Sequence, residues 1–420
     1  MTAFSIRTFG CRCNQAEAFD WVDELQSRGL LYTDDPLAGD WVLVNTCTIT
    51  SRADRDVRNF LRRVGRLNPS ARMVVTGCYA ERAGEELARY PGVWAVLPNR
   101  RKDEVPALVL TEADETGLEI SAGRPFRSRP LVKIQDGCDF GCTYCVIPSV
   151  RGKSVSVPAK EIEERVRALS DRGFEEIILT GIHLGLYGRD LDPSFSLLEL
   201  LRRLNGGEGR VRFRLSSLDP RFLDDRLLEF LADNPRICPQ FHLSFQHGSD
   251  RVIERMGRRI TTADYTRIMT FLRERRPDAA MGTDIIVGFP GETDEDFEEM
   301  REFLANSPLT YFHVFSYSPR PGTPAAGWKP VHPETVKRRA EALKDMAKIK
   351  NRSFRESMMG RDLEAVVIET GEGDARVLTG NYIEVRVPGV PAPVSRLVRI
   401  RIAGLTETGA RGELPPAEGR

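Results

Sequence analysis

Apolar runs rich in β-branched and aromatic residues occur at Phe4–Phe9, Trp41–Asn45, Met73–Thr76 and Val93–Leu97. Between them lie stretches with apolar positions three and four apart, at Ala16–Arg28, Asp54–Arg66 and Ala80–Tyr90. The first pattern predicts strands and the second predicts helices. Ser51 followed by Asp54 predicts a capping start for the second helix. Strand and helix in alternation predict a parallel sheet with crossover helices, a doubly wound α/β domain. Thr116–Arg129 has no clear period and carries Gly123, Pro125 and several arginines, so it reads as a linker.

A second alternating series follows, with strands expected at Leu131–Gln135, Glu176–Thr180, Val211–Ser216, Phe241–Phe245, Gly282–Val287 and Phe312–Tyr317. Helical segments such as Ala159–Arg172 and Thr293–Ala305 lie between them, and Thr293 with Asp296 supplies another capping start. Six βα repeats predict a complete or partial barrel with its chemistry at the carboxyl ends of the strands. After a long charged helix near Pro333–Met358, strands at Leu363–Glu369, Arg376–Val387 and Arg396–Ile402 follow one another with only turns between. That pattern predicts a small all-β barrel, and Gly409–Arg420 reads as a frayed tail. The expected division is 1–118, a linker at 119–129, 130–355 and 356–420.

The length of 420 residues agrees with roughly two to four domains. Lysine plus arginine and aspartate plus glutamate number 61 each, so the formal net charge is zero. A globally basic nucleic-acid coat is excluded, and any RNA contact must use local patches. No apolar run approaches the roughly 18 residues that span a bilayer. The opening MTAFSIRTFG lacks the plan of a secretory signal, so the expected location is the cytoplasm, with no membrane partner.

Cysteine changes the picture more than charge does. The eight are Cys11, Cys13, Cys47, Cys78, Cys138, Cys142, Cys145 and Cys238. A reducing compartment disfavours disulfides, so clustered cysteines point to metal or catalysis. Cys138-Asp-Phe-Gly-Cys142-Thr-Tyr-Cys145 has the spacing C-x3-C-x2-C just after an expected strand. Three thiolates on a tight loop hold three irons of a 4Fe–4S cube and leave the fourth iron open. Zinc would want a closed tetrahedron, and His183 is the nearest histidine able to complete one, so zinc stays open at this point. Cys11, Cys47 and Cys78 each follow an expected strand of the first sheet, at the edge where α/β folds assemble sites. They are either a second three-thiolate set or small apolar side chains packed in turns. Cys238 reads as a buried thiol. Arg151-Gly152-Lys153-Ser154 is not a phosphate loop, because the first glycine of that motif would fall at Ile147.

The C-x3-C-x2-C loop resembles that of the radical S-adenosylmethionine (radical SAM) superfamily. Thr-Phe-Gly-Cys11, Val-Asn-Thr-Cys47-Thr, Val-Thr-Gly-Cys78-Tyr and the loop after Lys133-Ile-Gln-Asp-Gly137 together resemble the methylthiotransferase family over nearly the whole chain. The resemblance implies a doubly wound amino-terminal cluster domain, a partial (βα)6 radical SAM barrel and a TRAM-like carboxy-terminal barrel. It implies two 4Fe–4S clusters, an auxiliary one on Cys11, Cys47 and Cys78 and a radical one on Cys138, Cys142 and Cys145, all six counted as catalytic. S-adenosylmethionine is the implied cosubstrate, with a reductant protein and a sulfur donor as partners. Residues 8–15, 180–188 and 315–323 look most like the branch that acts on N6-threonylcarbamoyladenosine at position 37 of tRNA, which implies an anticodon stem-loop as substrate. Branches acting on N6-isopentenyladenosine at the same position or on an aspartate of a ribosomal protein are the alternatives. A non-catalytic metal-containing RNA-binding module is another.

Carried over by position, Tyr144 would lie against the adenine of S-adenosylmethionine, or be an ordinary packed tyrosine. Thr180, Gly181, Ser217, Gln246 and Val287 are further cofactor-binding candidates, the last within the Asp284–Glu292 segment. Two departures from the family pattern are Cys13, read as a bystander, and His247, read as a partly exposed loop histidine. Arg52, Arg55, Arg58, Arg62 and Arg66 form a helical stripe beside Cys47, suited to RNA phosphates or paired with Asp54 and Asp56. Arg396, Arg399, Arg401 and Tyr382 are candidate RNA contacts on the small barrel.

Overall fold

The computed structural model describes residues 2–113, 128–192, 194–207 and 210–415. Most of the expected linker therefore lies outside the described residues. Two compact units emerge, and neither is a single stretch of chain. The first draws on 1–127, 136–154 and 318–326, and the second on 128–135, 155–317 and 327–420.

The first unit is built on five parallel strands, β1 (Ala3–Thr8), β2 (Leu31–Tyr32), β3 (Trp41–Thr46), β4 (Arg72–Gly77) and β5 (Val93–Val96), in the order β2-β1-β3-β4-β5. Its helices are α1 (Arg12–Ser27), α2 (Ser51–Leu67), α3 (Cys78–Leu87), α4 (Val105–Glu112) and the short α5 (Ile147–Arg151). Strand side chains alternate between faces. Trp41, Leu43 and Val74 accordingly join Trp21, Leu25 and Val109 of α1 and α4 in one core. Val42, Val44, Met73 and Val75 join Val57, Leu61 and Leu87 of α2 and α3 in another. Each such aliphatic side chain removed from water stabilises the unit by about 1.5–3 kcal/mol. The doubly wound expectation holds. The second helix starts differently from the expectation: Thr50, not Ser51, is the N-cap, and its hydroxyl accepts from the Ala53 amide. Asp54 is drawn away by the Thr48 hydroxyl, at 2.6 Å, and by two guanidinium groups.

The second unit carries β6 (Leu131–Asp136), β7 (Val155–Ser156), β8 (Glu176–Gly181), β9 (Arg212–Leu215), β10 (Gln240–His242), β11 (Ala280–Val287) and β12 (Tyr311–Ser316). All but β7 run as a row, β6-β8-β9 and β10-β11-β12, parallel throughout. The two halves meet through the parallel bridge of Leu218 with Leu243. Helices α6 (Ala159–Asp171), α7 (Leu197–Gly206), α8 (Asp225–Asp233), α9 (Asp250–Arg255), α10 (Thr262–Arg275), α11 (Asp294–Asn306) and α12 (Pro333–Ser357) connect and follow the strands. Six strands in chain order with intervening helices are the expected partial barrel. Thr293 and Asp296 form the reciprocal capping box at α11.

Beyond α12, β13 (Asp362–Thr370), β14 (Asp374–Thr379), β15 (Glu384–Pro388), β16 (Leu397–Leu405) and β17 (Ala410–Glu413) close into a barrel around Val377, Val385, Val387, Ile400 and Ile402. The expected strand Arg376–Val387 is in fact two, turned back at Tyr382, whose φ is +68°. The expected frayed tail is corrected as well: Ala410–Glu413 pairs with both β15 and β16 and completes the closure.

The barrel docks on the strand row through buried charge. Glu176 is fully buried and takes Arg214 Nε at 2.9 Å and Arg212 Nη2 at 2.6 Å. Arg214 then donates to the Thr379 and Gly380 carbonyls at 3.1 and 3.0 Å, and Arg212 reaches Glu364 at 3.0 Å. Burial alone would raise the Glu176 carboxyl, but Arg214 and Arg212 outweigh it and hold it far below the usual carboxylate range. Among the described residues no helix is long and apolar enough to cross a membrane.

Candidate metal centres

Cys11, Cys47 and Cys78 follow β1, β3 and β4, three adjacent strands, so they leave the same edge of one sheet. Two glycines make the approach close. A Cβ on Gly10 would lie 2.6 Å from Cys47 Cβ and 2.9 Å from its sulfur, and Gly10 has φ +105°. A Cβ on Gly77, at φ +94°, would lie 2.5 Å from the Thr46 carbonyl. Only glycine meets both demands, which accounts for the Gly-Cys pairs in the sequence. Cys11 caps α1 and Cys78 opens α3, where the helix dipole favours a thiolate.

The three thiols sense one another electrostatically. The Cys13 thiol, with Arg151, draws Cys11 down to about 6. Burial pushes Cys47 up to about 12 and also raises Cys78, against the pull of Arg151. Cys13 is therefore a buried neighbour hydrogen-bonded to Cys11.

Cys138, Cys142 and Cys145 sit half-buried on the loop after β6, and this loop belongs to the first unit. Gly137 has φ +70°, and a Cβ there would lie 1.9 Å from the Lys153 carbonyl. The Cys138 amide donates to Gly152 O at 3.1 Å and the Cys145 amide to Cys142 O at 3.0 Å, which folds the loop tightly. The Ala325 amide donates to Thr143 O at 2.9 Å. Arg320, in the same Ser-Pro-Arg-Pro-Gly stretch, is buried and reaches Asp54 at 3.0 Å and Thr48 O at 3.1 Å.

A buried cation ties the Cys78 sulfur to the end of β6. Arg151, at the end of α5, has a fully buried side chain. Its Nε donates to Cys78 Sγ at 3.2 Å, Nη2 to Asn14 at 2.7 Å, and Nη1 to Glu17 at 3.1 Å and Asp136 at 2.7 Å. Lys102 lies 2.7 Å from Glu17 and 2.5 Å from Asp136. Two cations and two carboxylates thus balance between the auxiliary-set helix and the strand that leads into the C-x3-C-x2-C loop. In the sequence Arg151 stands out only within Arg-Gly-Lys-Ser, which is not a phosphate loop. Its one visible signal was a position six residues after Cys145.

All eight cysteines are thiols rather than disulfides. Tetrahedral thiolates about 2.3 Å from one zinc lie about 3.8 Å apart. Among the described residues the one set of three donor atoms all within 4.8 Å of one another is His242, Asp284 and His313, so neither cysteine set is drawn in around a single ion. Three cysteines in each set suit a cube with one iron left open. His183, which would have completed a zinc site, points its Nε2 at Asp219, 3.3 Å away, and packs edge-on against Phe222.

Tyr144 lies half-buried in the first unit. In the second unit, Thr180 and Gly181 end β8, Ser217 follows β9, Gln246 follows β10 with φ +74°, and Val287 ends β11. These positions share the carboxyl end of one strand row. Val287 is fully buried and, by alternation, shares a face of β11 with Ile285 rather than with Asp284. His247 corrects its expectation. It is fully buried, its Nδ1 accepts from the Ser249 amide at 3.0 Å, and its Nε2 lies 3.4 Å from Glu292. Cys238 is buried as expected and lies 3.7 Å from Glu176.

The basic stripes are partly consumed within the protein. Arg52 pairs with Asp56, Arg58 donates to Tyr79 Oη at 2.7 Å, and Arg62 reaches Tyr90, while Arg55 and Arg66 stay exposed. Asp54 serves Arg82 and Arg320 instead of the stripe. On the small barrel, Arg399 and Arg401 pair with Asp362 and Arg396 with Glu175. Tyr382 lies under the Arg214 guanidinium, 5.1 Å away.

Residues 132–304 match the radical SAM superfamily, and residues 3–97 match the uncharacterized protein family UPF0004. The threonylcarbamoyladenosine tRNA methylthiotransferase MtaB of Aquifex aeolicus is 37% identical over 414 residues, covering 95% of this chain and 99% of its own. The chain belongs to the radical SAM methylthiotransferases. MtaB of Thermotoga maritima is 34% identical, with 86% of each chain covered. The tRNA-2-methylthio-N(6)-dimethylallyladenosine synthase of Aquifex aeolicus is 32% identical over 98% of each. Among solved structures, the radical S-adenosylmethionine methyltransferase TsrM of Kitasatospora setae, with cobalamin and a 4Fe–4S cluster bound, superposes with TM-score 0.55 at 15% identity. That match covers 78% of this chain and 74% of TsrM and speaks to fold alone. As a radical SAM methylthiotransferase, this enzyme uses S-adenosylmethionine and 4Fe–4S clusters.

Proposed function

We propose that this methylthiotransferase adds a methylthio group to carbon 2 of N6-threonylcarbamoyladenosine at position 37 in a tRNA anticodon stem-loop. The observation that carries the reading is the near end-to-end similarity to a relative named for that substrate. Cys138, Cys142 and Cys145 are assigned to the radical cluster, and Cys11, Cys47 and Cys78 to the auxiliary one. The clusters supply reductive cleavage of S-adenosylmethionine and a site for the transferred sulfur.

The protein's own share is positioning and charge. Two of the three strand ends present their thiols, Cys11 and Cys78, at the α1 and α3 amino termini, where the helix dipole offsets part of the cost of a buried thiolate. Arg151 offers a fixed positive charge and an N–H beside Cys78, where electron-rich sulfur gathers. The tight turn at Gly137 and the Cys138 amide hold the second loop in shape. Tyr144, Thr180, Gly181, Ser217, Gln246 and Val287 are assigned to S-adenosylmethionine. Along the sequence the domains are assigned to 1–118, 130–355 and 356–420, with 119–129 between, while the loop 136–154 and the segment 318–326 fold with the first. A reductant protein and a sulfur donor complete the system in the cytoplasm.

The test is nucleoside mass analysis of tRNA from a strain lacking this chain. Loss of 2-methylthio-N6-threonylcarbamoyladenosine, restored by the wild-type gene and not by Cys142→Ala, is expected. Retention of that nucleoside, or loss of the methylthiolated isopentenyl nucleoside instead, overturns the assignment.

A further inference from the structure

We propose that His242, Asp284 and His313 form a binding site for one divalent transition-metal ion, distinct from both cysteine sets. The three residues stand on neighbouring parallel strands, β10, β11 and β12. Register pairs His242 with Gly282 and Asp284 with His313, and Gly282 and Asp284 share a face because they are two apart on β11. Gly282 has no side chain to fill that face. A Cβ there would lie 1.9 Å from the Tyr311 ring.

The donor spacing fits one ion. His242 Nε2 lies 3.3 Å and His313 Nδ1 3.1 Å from Asp284 Oδ1, and all three donor atoms lie within 4.8 Å of one another. Ligands about 2.1 Å from a shared metal sit about 3.0 Å apart in an octahedron and about 3.4 Å apart in a tetrahedron. Two imidazoles and a carboxylate are the donors that zinc and ferrous iron take, with positions left over. The outer support is present too. The Ser217 hydroxyl lies 3.0 Å from His242 Nδ1, so that ring nitrogen has its own partner while Nε2 faces Asp284. Arg214, whose Nη1 lies 3.3 Å from Gln240 on the same strand as His242, is held by Glu176. His313, the most exposed of the three, lines with Tyr311 a cavity of about 660 Å³.

The experiment uses the anaerobic, cluster-loaded full-length protein. Zinc chloride is titrated against a chromophoric chelator, and the bound zinc is read by X-ray absorption at the zinc edge. One zinc per chain is expected, with nitrogen and oxygen neighbours at about 2.0–2.1 Å, imidazole scattering and no sulfur at about 2.3 Å. Asp284→Asn and His313→Ala, checked for fold by circular dichroism, each weaken it about tenfold or more. Sulfur in the zinc shell, no uptake, or uptake unchanged in both variants overturns the proposal. The absorption spectrum of the wild type decides the matter even where a variant fails to fold.

Discussion

Replacing Arg151 by methionine removes one charge from a four-charge set that is otherwise balanced. Arg151 and Lys102 face Glu17 and Asp136, and Arg151 and Glu17 are almost wholly out of solvent. Among the described residues, the substitution leaves Lys102 alone against two carboxylates, a net charge of one buried beside Cys78. Breaking a buried pair by removing one partner costs about 3–5 kcal/mol, and Lys102, shared between two carboxylates, offsets only part of the lost charge. At about 1.4 kcal/mol per factor of ten, local opening becomes about a hundredfold to a few thousandfold more frequent. Hydrogen exchange read by mass spectrometry on cluster-loaded protein reports this in peptides spanning α1 and the end of β6. Glu17→Gln alone leaves the opposite imbalance. Arg151→Met with Glu17→Gln leaves the Lys102–Asp136 pair neutral and recovers part of the protection, although Asn14 and Cys78 still lack the guanidinium. The reasoning is refuted if Arg151→Met exchanges like wild type, or if the two costs simply add.

Gly10→Ala places a methyl group where Cys47 sits, so iron analysis should show loss of about half the iron, with the C-x3-C-x2-C set still loaded; full iron content counts against the close approach. Arg214→Met removes the guanidinium that bonds the Thr379 and Gly380 carbonyls and leaves Glu176 to Arg212, so proteolysis between α12 and β13 should accelerate by about tenfold or more, whereas surface Arg376→Met stays within about threefold of wild type. Glu176 has a folded-state pKa depressed below its unfolded value of about 4.3. Its contribution is complete above that value and is lost as pH falls through the folded pKa, so acid unfolding of Glu176→Gln should be flatter below about pH 4.3 than that of wild type. An equal slope in the two proteins would remove the linkage.

Much of this architecture can be read from side-chain periodicity, and the exceptions have physical causes. The alternation of Trp41, Val42, Leu43 and Val44 between two cores is the pattern of a strand covered on both faces, which is why the first sheet was legible. The two-residue strand Leu31–Tyr32 is too short to show any period. Thr50 and Ser51 are equally good caps, and only the capture of Asp54 by Arg82 and Arg320 decides between them. Cysteine spacing made the candidate metal ligands legible because ligands must be particular residue types. Arg151 was opaque because its partners, Asn14, Glu17 and Cys78, lie far away in sequence. His247 was misread for a related reason: its burial depends on Glu292, which a loop sequence does not announce.

The loop 136–154 and the segment 318–326 fold with residues from the start of the chain, although their neighbours in sequence do not. Cutting the gene near residue 130 would therefore not yield two self-sufficient halves. The downstream fragment would carry Asp136, Arg151 and Arg320 without Glu17, Lys102 and Asp54, so Arg320 would lose its carboxylate and Arg151 one of its two. Such interleaving ties the inheritance of one set of sulfur ligands to the other, so neither half is a portable cassette for grafting onto another scaffold.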